Sequence, residues 1–232
     1  MFGIFTGVIV NAALVVLGSA AGCLFKTDML RHIGDRVLQL FACFVMVLGI
    51  SGAIQLMRPI YTLIAIVIGT AVGETIDIDE KFTRLGNWFE AKVSGKGSSN
   101  FARSFISGAL LFCIGSMTIM GAIEAGLRGE HTIYYTKGLI DMVSAATFAM
   151  GSGIGVAFSA IPLVIYQGFL VLASSLLGDV LSAETIAMSS QIGSLILIPL
   201  ALNLLGVTNV KVANYIPAMF VPFVWQLISS FM

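Results

Sequence analysis

Long runs without a charged residue restrict what this chain can fold into. Five of them cover residues 1–25, 37–57, 104–123, 185–210 and 212–232. A membrane-spanning helix needs about 20 apolar residues, so each run can cross a bilayer once. Only 10% of the 232 residues are charged, against about 25% in an ordinary soluble domain. The sequence therefore predicts an all-α, polytopic integral membrane protein whose main partner is the lipid bilayer.

Two further uncharged runs do not have the length of one crossing. PIYTLIAIVIGTAVG, between Arg58 and Glu74, would span about 22 Å, so it either thins the bilayer or carries Glu74 into it. Residues 142–178 are too long for one crossing and slightly short for two. GSGIG (151–155) and Pro162, which unwind or end helices, favour two crossings with a turn near Ser159–Pro162. A helix followed by a re-entrant segment is the alternative.

The basic residues favour eight crossings over seven. With eight, nine Lys and Arg residues fall on one side and three on the other, whereas seven crossings give eight against four. Positive residues concentrate in cytoplasmic loops, which predicts an N-terminus on the outside. We expect one membrane domain, residues 1–232, with about eight transmembrane segments, seven being possible.

The one extended hydrophilic stretch, residues 77–103, is expected on the cytoplasmic side. Phe82, Leu85, Trp88 and Phe89 recur there at helical spacing beside charges, which indicates an amphipathic helix on the membrane surface. The SGKGSSN that follows reads as a flexible linker. The remaining loops are short, so the sequence offers no soluble catalytic domain.

Several classes of function find no support in the sequence. The net charge is zero, which gives no reason to expect a nucleic-acid partner. Neither an H-E-x-x-H motif, nor zinc-ligand spacing, nor a G-x-x-x-x-G-K-S/T phosphate loop is present. We therefore predict a protein that is not an enzyme and that uses no cofactor and no metal.

One small-residue motif, G-S/T-x-x-G, occurs three times: VVLGSAAG ends at residue 22, IVIGTAVG at 73 and FAMGSGIG at 155. Small residues four apart let helix backbones approach closely in lipid, so helix packing is the simpler interpretation. The alternative is a region lining a transport site at the boundary between repeats, here parallel ones. An exposed small-residue face would also permit a homo-oligomer. The glycines concerned are Gly18, Gly22, Gly69, Gly73, Gly151 and Gly155.

Three charged residues close to the uncharged runs are the main candidates for a functional site. Glu124 and Asp141 are joined by a short segment, and Lys137 lies four residues before Asp141, on the same face if that helix starts early enough. Charges at membrane depth are expensive and therefore candidates for function. We expect the three to form a polar cluster at an outward-facing vestibule. The alternative is that both acids lie at headgroup level, solvated or paired with Lys137.

Neutral polar residues extend this candidate site. The hydroxyls of Ser116, Thr118 and Ser144 lie deeper in the same runs and could replace a cation's hydration shell or relay protons. Glu74, at the inward end of the third run, is a second candidate, with a boundary carboxylate as the alternative. Asn11 and Gln167 must be hydrogen-bonded inside the bilayer, either between helices or to a substrate.

Several segments together resemble a known family. They are GALLFCIGSMTIMGAIEAGL (108–127), TKGLIDMVSA (136–145), GIGVAFSAIPLVIYQG (153–168) and LNLLGVTNVKVANYIPA (202–218). The chain resembles the domain-of-unknown-function 554 family of bacterial inner-membrane proteins over almost its whole length. The resemblance implies a multi-pass protein of the bacterial inner membrane, often called a transporter, without an established substrate. The positions that match the family's motif residues are Glu74, Gly115, Ser116, Thr118, Glu124, Lys137, Asp141, Gln167 and Asn214.

The function that these features favour is a secondary transporter or channel for a small solute or ion, with its polar site near Glu124 and Asp141. A proton or cation gradient would supply the driving force. The alternative is a membrane scaffold or regulatory subunit that transports nothing, because short loops and close helix packing suit that role equally well.

Overall fold

The computed structural model describes residues 2–24, 31–55, 58–93, 99–177 and 182–230. Every regular element in those ranges is helical, which confirms the predicted all-α class. The α-helices are α1 (Thr6–Leu24), α2 (Arg31–Ala53), α3 (Pro59–Ile76), α4 (Ile78–Val93), α5 (Ser99–Cys113), α6 (Ser116–Arg128), α7 (Thr132–Ser152), α8 (Gly155–Phe158), α9 (Ala160–Leu177), α10 (Ala183–Leu204) and α11 (Val221–Ser230). Two 3-10 helices cover Phe2–Phe5 and Val212–Phe220.

Several segments of the described ranges are long and apolar enough to span a membrane. Within the described ranges six segments meet that test, and the bent pair α5–α6 makes a seventh. α7 is not among them and contains Lys137 and Asp141. It is nevertheless 21 residues long and packs along α1, one of the six, so it lies at the same depth. Counting α7 gives the eight crossings that the basic residues favour.

The directions of packed helices test how often residues 142–178 cross. α2 and α10 are antiparallel, because Gly49 lies beside Ile198 while the carbonyl of Gln55 accepts a hydrogen bond from Gln191. α3 and the second 3-10 helix are antiparallel too. A single crossing by residues 142–178 would reverse both relations, so two crossings fit.

The turn inside residues 142–178 lies within the glycine-rich GSGIG and earlier than the predicted Ser159–Pro162. α7 ends at Ser152, and Gly153 adopts a φ of 88° that favours glycine. The prediction of a turn near Ser159–Pro162 is therefore wrong by about two helical turns. Pro162 instead lies in the first turn of α9, where a proline removes no helical hydrogen bond.

The first copy of the glycine motif packs α1 against α7. A Cβ atom added to Gly18 would lie 2.1 Å from the carbonyl oxygen of Met142, and one added to Gly22 would lie 2.2 Å from that of Ala146. Both contacts are far below any real Cβ distance, so only glycine allows this approach. Because the paired residue numbers rise together, α1 and α7 run parallel.

The second copy does the same for α3 and the second 3-10 helix. A Cβ atom on Gly69 would lie 2.1 Å from the Cα of Ala218, and one on Gly73 would lie 1.8 Å from the carbonyl oxygen of Asn214. Here the paired numbers run in opposite directions. In both copies the geometry is that of helix packing, as the simpler interpretation of the motif expects.

The third copy combines packing with a helix end. Gly151 lies in the last turn of α7, and Gly155 begins α8, where an added Cβ would lie 2.5 Å from the carbonyl oxygen of Phe101. The contact fastens the start of α8 to α5. The glycines of this copy therefore end one membrane crossing and anchor the start of the next.

The amphipathic helix predicted within residues 77–103 is α4. It packs on α5, with Gly86 against Ala102, while Trp88 is exposed and the Lys92 ammonium lies 4.0 Å from its ring centroid. A Trp beside a cation is typical of a helix at the membrane surface. Of the predicted linker SGKGSSN, residues 94–98 lie outside the described ranges, and Ser99 begins α5.

Candidate functional site

A buried ion pair lies in the middle of α7. The ammonium of Lys137 contacts the Oδ2 of Asp141 one turn later, and the two side chains are only 7% and 9% exposed. Asp141 is the tenth of 21 residues, about 14 Å from the helix start, a distance close to half the thickness of a ~30 Å hydrocarbon core. Because α7 begins at Thr132, Asp141 lies well inside a helix and not at its start.

Two amide side chains from neighbouring helices reach this ion pair. Asn11 of α1 and Gln167 of α9 are fully buried, and the Asn11 Nδ2 donates to the Gln167 Oε1 at 3.3 Å. The Asn11 amide also interacts with the Asp141 carboxylate. Three helices, α1, α7 and α9, thus contribute polar groups to one place at mid-depth.

Half of the hydrogen-bonding capacity of these amides is unused. Among the described residues, the Asn11 Oδ1 and the Gln167 Nε2 are buried and have no hydrogen-bond partner. A buried polar atom left unsatisfied costs about 1–3 kcal/mol. The site therefore offers one acceptor and one donor that a polar guest would satisfy.

A break between α5 and α6 lies next to the same site. Gly115 has a φ of 136°, which only glycine adopts readily, and the two helices meet at an angle of 61°. The Tyr134 hydroxyl donates to the carbonyl of Thr118 at 3.0 Å and so ties the first turn of α6 to α7. Cys113, the last residue of α5, lies within electrostatic range of both Lys137 and Asp141.

Thr118 lies in the first turn of α6, which Tyr134 ties to α7. Its hydroxyl is buried and lacks a partner within the described ranges. Ser144 is half-buried in an apolar groove between α2 and α7, and Asp141 is not part of the lining of that groove. Ser116 begins α6, and its side chain lies outside what the structure describes.

Glu124 is separate from the ion pair. It is half-buried near the outer end of α6, and its carbonyl accepts hydrogen bonds from the amides of Gly129 and Glu130. In the described part of the chain no hydrogen bond or ion pair joins its carboxylate to Lys137 or Asp141. The structure thus brings Lys137 and Asp141 together and leaves Glu124 outside the cluster.

Glu74 lies at a second polar region, at the C-terminal end of α3, which the basic residues predict to be the inward end. Glu74 itself is exposed, but nearby Asp77 accepts two hydrogen bonds of 3.1 Å from the ammonium of Lys211. That bond holds the pKa of Asp77 below its ordinary value. Asp77 also has a φ of 49°, the left-handed conformation that turns the chain from α3 into α4.

Next to the Asp77–Lys211 pair, the side chains of Asp79 and Asn214 cap each other's helices. The Asn214 Oδ1 accepts from the backbone amide of Asp79 at 2.8 Å, and the Asp79 Oδ1 accepts from the amide of Ala213 at 3.3 Å. Each side chain satisfies a free N–H group at the start of the other's helix. Burial raises the pKa of Asp79.

A polar cavity opens beside these capping contacts, with Asp79 in its lining. Its volume is about 440 Å³, and its polar lining includes Asp79, Asn87, Arg103, Ser107 and Asn203. It reaches inward between α4, α5 and α10 as far as apolar residues of α5 and α10. We refer to it as the inner vestibule. No group of three potential metal ligands occurs among the described residues.

Sequence comparison supports the family assignment without supplying a function. The model of a family described as "Protein of unknown function (DUF554)" matches residues 6–227. The chain is similar to the uncharacterized membrane protein YdfK of Bacillus subtilis (strain 168), with 28% identity over 93% of each chain. It is also similar to the uncharacterized protein YqgA of Escherichia coli (strain K12), with 25% identity over 92% of each chain. No solved structure matches it significantly. The chain therefore belongs to the DUF554 family.

Proposed function

We propose that this protein is a secondary transporter or channel for a small solute or ion. The observation that carries the proposal is the Lys137–Asp141 pair at mid-depth, accompanied by unpartnered amide atoms of Asn11 and Gln167. Placing such groups in the bilayer is costly, and transport sites are the common reason for accepting that cost.

The chemistry of the site favours a small polar guest. The ion pair has no net charge, so it does not by itself attract an ion of one sign. The free Asn11 Oδ1 would accept a hydrogen bond, the free Gln167 Nε2 would donate one, and the Thr118 hydroxyl could do either. A solute bound there would replace missing hydrogen bonds.

Two features of the backbone support the proposal. Transporters commonly build midplane sites from interrupted helices, and Gly115 interrupts α5–α6 beside the ion pair. The inner vestibule leads toward that break along α5, from Arg103 past Ser107 to Leu110. Leu110 of that lining lies one turn before Cys113, which is within electrostatic range of the ion pair.

The three glycine motifs fit a parallel repeat. Their copies lie on α1, α3 and α7, which are the first, third and fifth of the eight crossings and so run in the same direction. Transport sites frequently lie between such repeats. Here the first and third copies belong to α1 and α7, the two helices that carry Asn11 and the ion pair.

The test compares two double variants of the same chemistry in proteoliposomes. Lys137→Gln/Asp141→Asn removes the buried pair while leaving hydrogen-bonding groups in place, and Lys211→Gln/Asp77→Asn removes the exposed pair. The vesicles receive a proton or sodium gradient and a defined mixture of amino acids, organic acids, sugars and nucleosides. Mass spectrometry measures uptake, and a pH-sensitive dye measures internal pH.

We expect the wild type and the exposed-pair variant to accumulate at least one solute or to carry protons. The buried-pair variant should lose at least 90% of that flux while remaining folded by size-exclusion chromatography. Transport equal to that of the wild type in the buried-pair variant would disprove the site. Wild-type vesicles that accumulate nothing beyond protein-free vesicles would contradict the function itself and favour the scaffold.

A further inference from the structure

A groove with a charged rim lies at the opposite end of α3 from the inner vestibule. It runs between α3, α10 and α11 and encloses about 270 Å³. Arg58, Ser182, Glu184 and Gln226 contribute polar groups at its rim, and the remaining lining is mostly apolar. The rim lies on the side of the membrane that the basic residues predict to be the outer one. We refer to this feature as the rim groove.

The two charges at the rim are paired but accessible. The Arg58 Nε contacts the Glu184 Oε1, and the side chains are 48% and 42% exposed. The guanidinium also lies 5.4 Å from the ring centroid of Tyr61. Because Arg has five N–H donors and a carboxylate has two oxygens, each partner keeps capacity for another ligand. The rim thus presents a positive and a negative group side by side.

The apolar part of the groove has the length of one bilayer leaflet. Its lining follows α3 from Arg58 to Ile68, ten residues and about 15 Å, which is half of a ~30 Å hydrocarbon core. Along it, Tyr61, Ile64 and Ile68 of α3 are 43–47% exposed and Ala65 is buried, while Trp225 at its mouth is 60% exposed. The groove therefore opens sideways to the bilayer, which favours a ligand that arrives through the lipid.

We propose that the rim groove binds an outer-leaflet phospholipid with an ethanolamine headgroup. The phosphate would bind the Arg58 guanidinium, the primary ammonium would donate to the Glu184 carboxylate, and an acyl chain would lie along Ala65, Ile68 and Met188. A choline headgroup has no N–H to donate, and a glycerol headgroup has no cation for Glu184. The charge arrangement therefore selects ethanolamine over choline and glycerol headgroups.

The chain offers a direct optical test, because it contains only two tryptophans, Trp88 and Trp225. In a Trp88→Phe protein, Trp225 at the mouth of the groove is the only tryptophan. Brominated acyl chains quench tryptophan on contact. Nanodiscs with equal fractions of brominated phosphatidylethanolamine, phosphatidylcholine or phosphatidylglycerol then report relative lipid binding at this position.

We expect the relative binding constant for the ethanolamine lipid to exceed the other two about three- to tenfold, the size that a charge-assisted bond at an exposed site supports. Glu184→Gln should abolish the preference over choline, and Arg58→Gln should weaken all three lipids. A Trp225→Phe protein, in which Trp88 of α4 reports from the opposite surface, should show no preference and is the matched control.

Three results would overturn the proposal. They are equal quenching by the three lipids in the Trp88→Phe protein, a preference that persists in Glu184→Gln, and relief of quenching by dissolved phosphoethanolamine at millimolar concentration. The last result would assign the rim to a soluble zwitterion instead. Since the rim groove contains neither Lys137 nor Asp141, the test is independent of the transport assay.

Discussion

The helix pairs α1–α7 and α3 with the second 3-10 helix are assembled alike but carry their charges at different depths. In both, two glycines of a G-S/T-x-x-G motif lie against the partner's backbone. α1–α7 is parallel and contains the Lys137–Asp141 pair at its centre. The other pair is antiparallel and has the Asp77–Lys211 pair at its inward end.

Because one pair is buried and the other exposed, comparing them shows which charges can be explained by stability and which need a functional explanation. An exposed ion pair is screened by water and contributes little to stability. A buried one must overcome the desolvation of both partners, and apolar side chains in its place are often no worse. The Asp77–Lys211 pair therefore reads as ordinary surface chemistry, whereas the pair in α7 calls for a functional explanation.

The largest expected effect comes from removing one partner of each pair. Asp141→Ala leaves the Lys137 ammonium buried without a counterion, so the free energy of unfolding should fall by about 3–5 kcal/mol. Asp77→Ala should have a far smaller effect, because water solvates the released Lys211. Thermal unfolding in detergent micelles measures both variants.

The control is Lys137→Met/Asp141→Leu, which removes both buried charges and should recover most of the lost stability. If Asp141→Ala and Asp77→Ala unfolded at the same temperature, the distinction between the two pairs would be lost.

A smaller effect is expected from the glycines, and here the two helix pairs should behave alike. Gly22→Ala and Gly73→Ala each place a methyl group where a partner's carbonyl oxygen lies, at 2.2 and 1.8 Å. Overpacking of this kind costs about 1–3 kcal/mol. Unfolding midpoints compare these variants with Gly168→Ala in α9, whose added Cβ would lie 3.9 Å from its nearest neighbour.

Gly168→Ala should be neutral or stabilise the protein by about 0.5–1 kcal/mol, because alanine favours a helix over glycine. A destabilisation confined to one of the two helix pairs would show that they are not assembled by the same contact.

The smallest expected effect is a dependence of protein stability on pH that arises from Asp77 and Asp79, where α3 turns into α4. The pKa of Asp79 is raised above its ordinary 3.8 by burial. The contribution of Asp79 to the stability of the fold is therefore complete below pH 3.8. It is lost as the pH rises through the raised pKa. The pKa of Asp77 is lowered below 3.8 by its hydrogen bond to Lys211. That contribution is present above pH 3.8 and is lost as the pH falls through the lowered value.

Unfolding midpoints between pH 3 and pH 7 test both slopes. Asp79→Asn keeps an acceptor for the Ala213 amide and should remove the decline above pH 3.8. Asp77→Asn should lower stability at neutral pH and equal the wild type in acid. Identical slopes in the two variants would show that the neighbouring acids share one environment.

The sequence predicts much of the fold because charge-free runs measure membrane crossings directly. It misplaces the start of α7, because Lys137 and Asp141 make residues 132–141 look too polar for a span. The two charges lie one turn apart on one helix and neutralise each other. A search for uncharged runs does not recognise such a pair, because it treats every charged residue as the end of a run. The break at Gly115 is missed as well, because a single glycine in an apolar run does not reveal its φ.

The candidate site was harder to predict than the fold. Lys137 and Asp141 follow from their spacing, and both buried amides are recognisable as unusual in apolar runs. The contact between these two amides is not predictable from the sequence, because Asn11 and Gln167 are 156 positions apart. Only the packing of α1 between α7 and α9 brings them together. Glu124 was expected with Asp141 from a short connection, yet they lie at different depths of adjoining helices.

The placement of both charges of the buried pair on α7 has an electrical consequence. If α7 shifts along the membrane normal, its positive and negative groups move together, so no net charge crosses the membrane field. The shift is then insensitive to voltage, whereas one unpaired charge would couple to it by about 2.3 kcal/mol per 100 mV. A voltage-dependent rate in the wild-type protein would accordingly identify the transported species, or a residue outside α7, as the charge that moves.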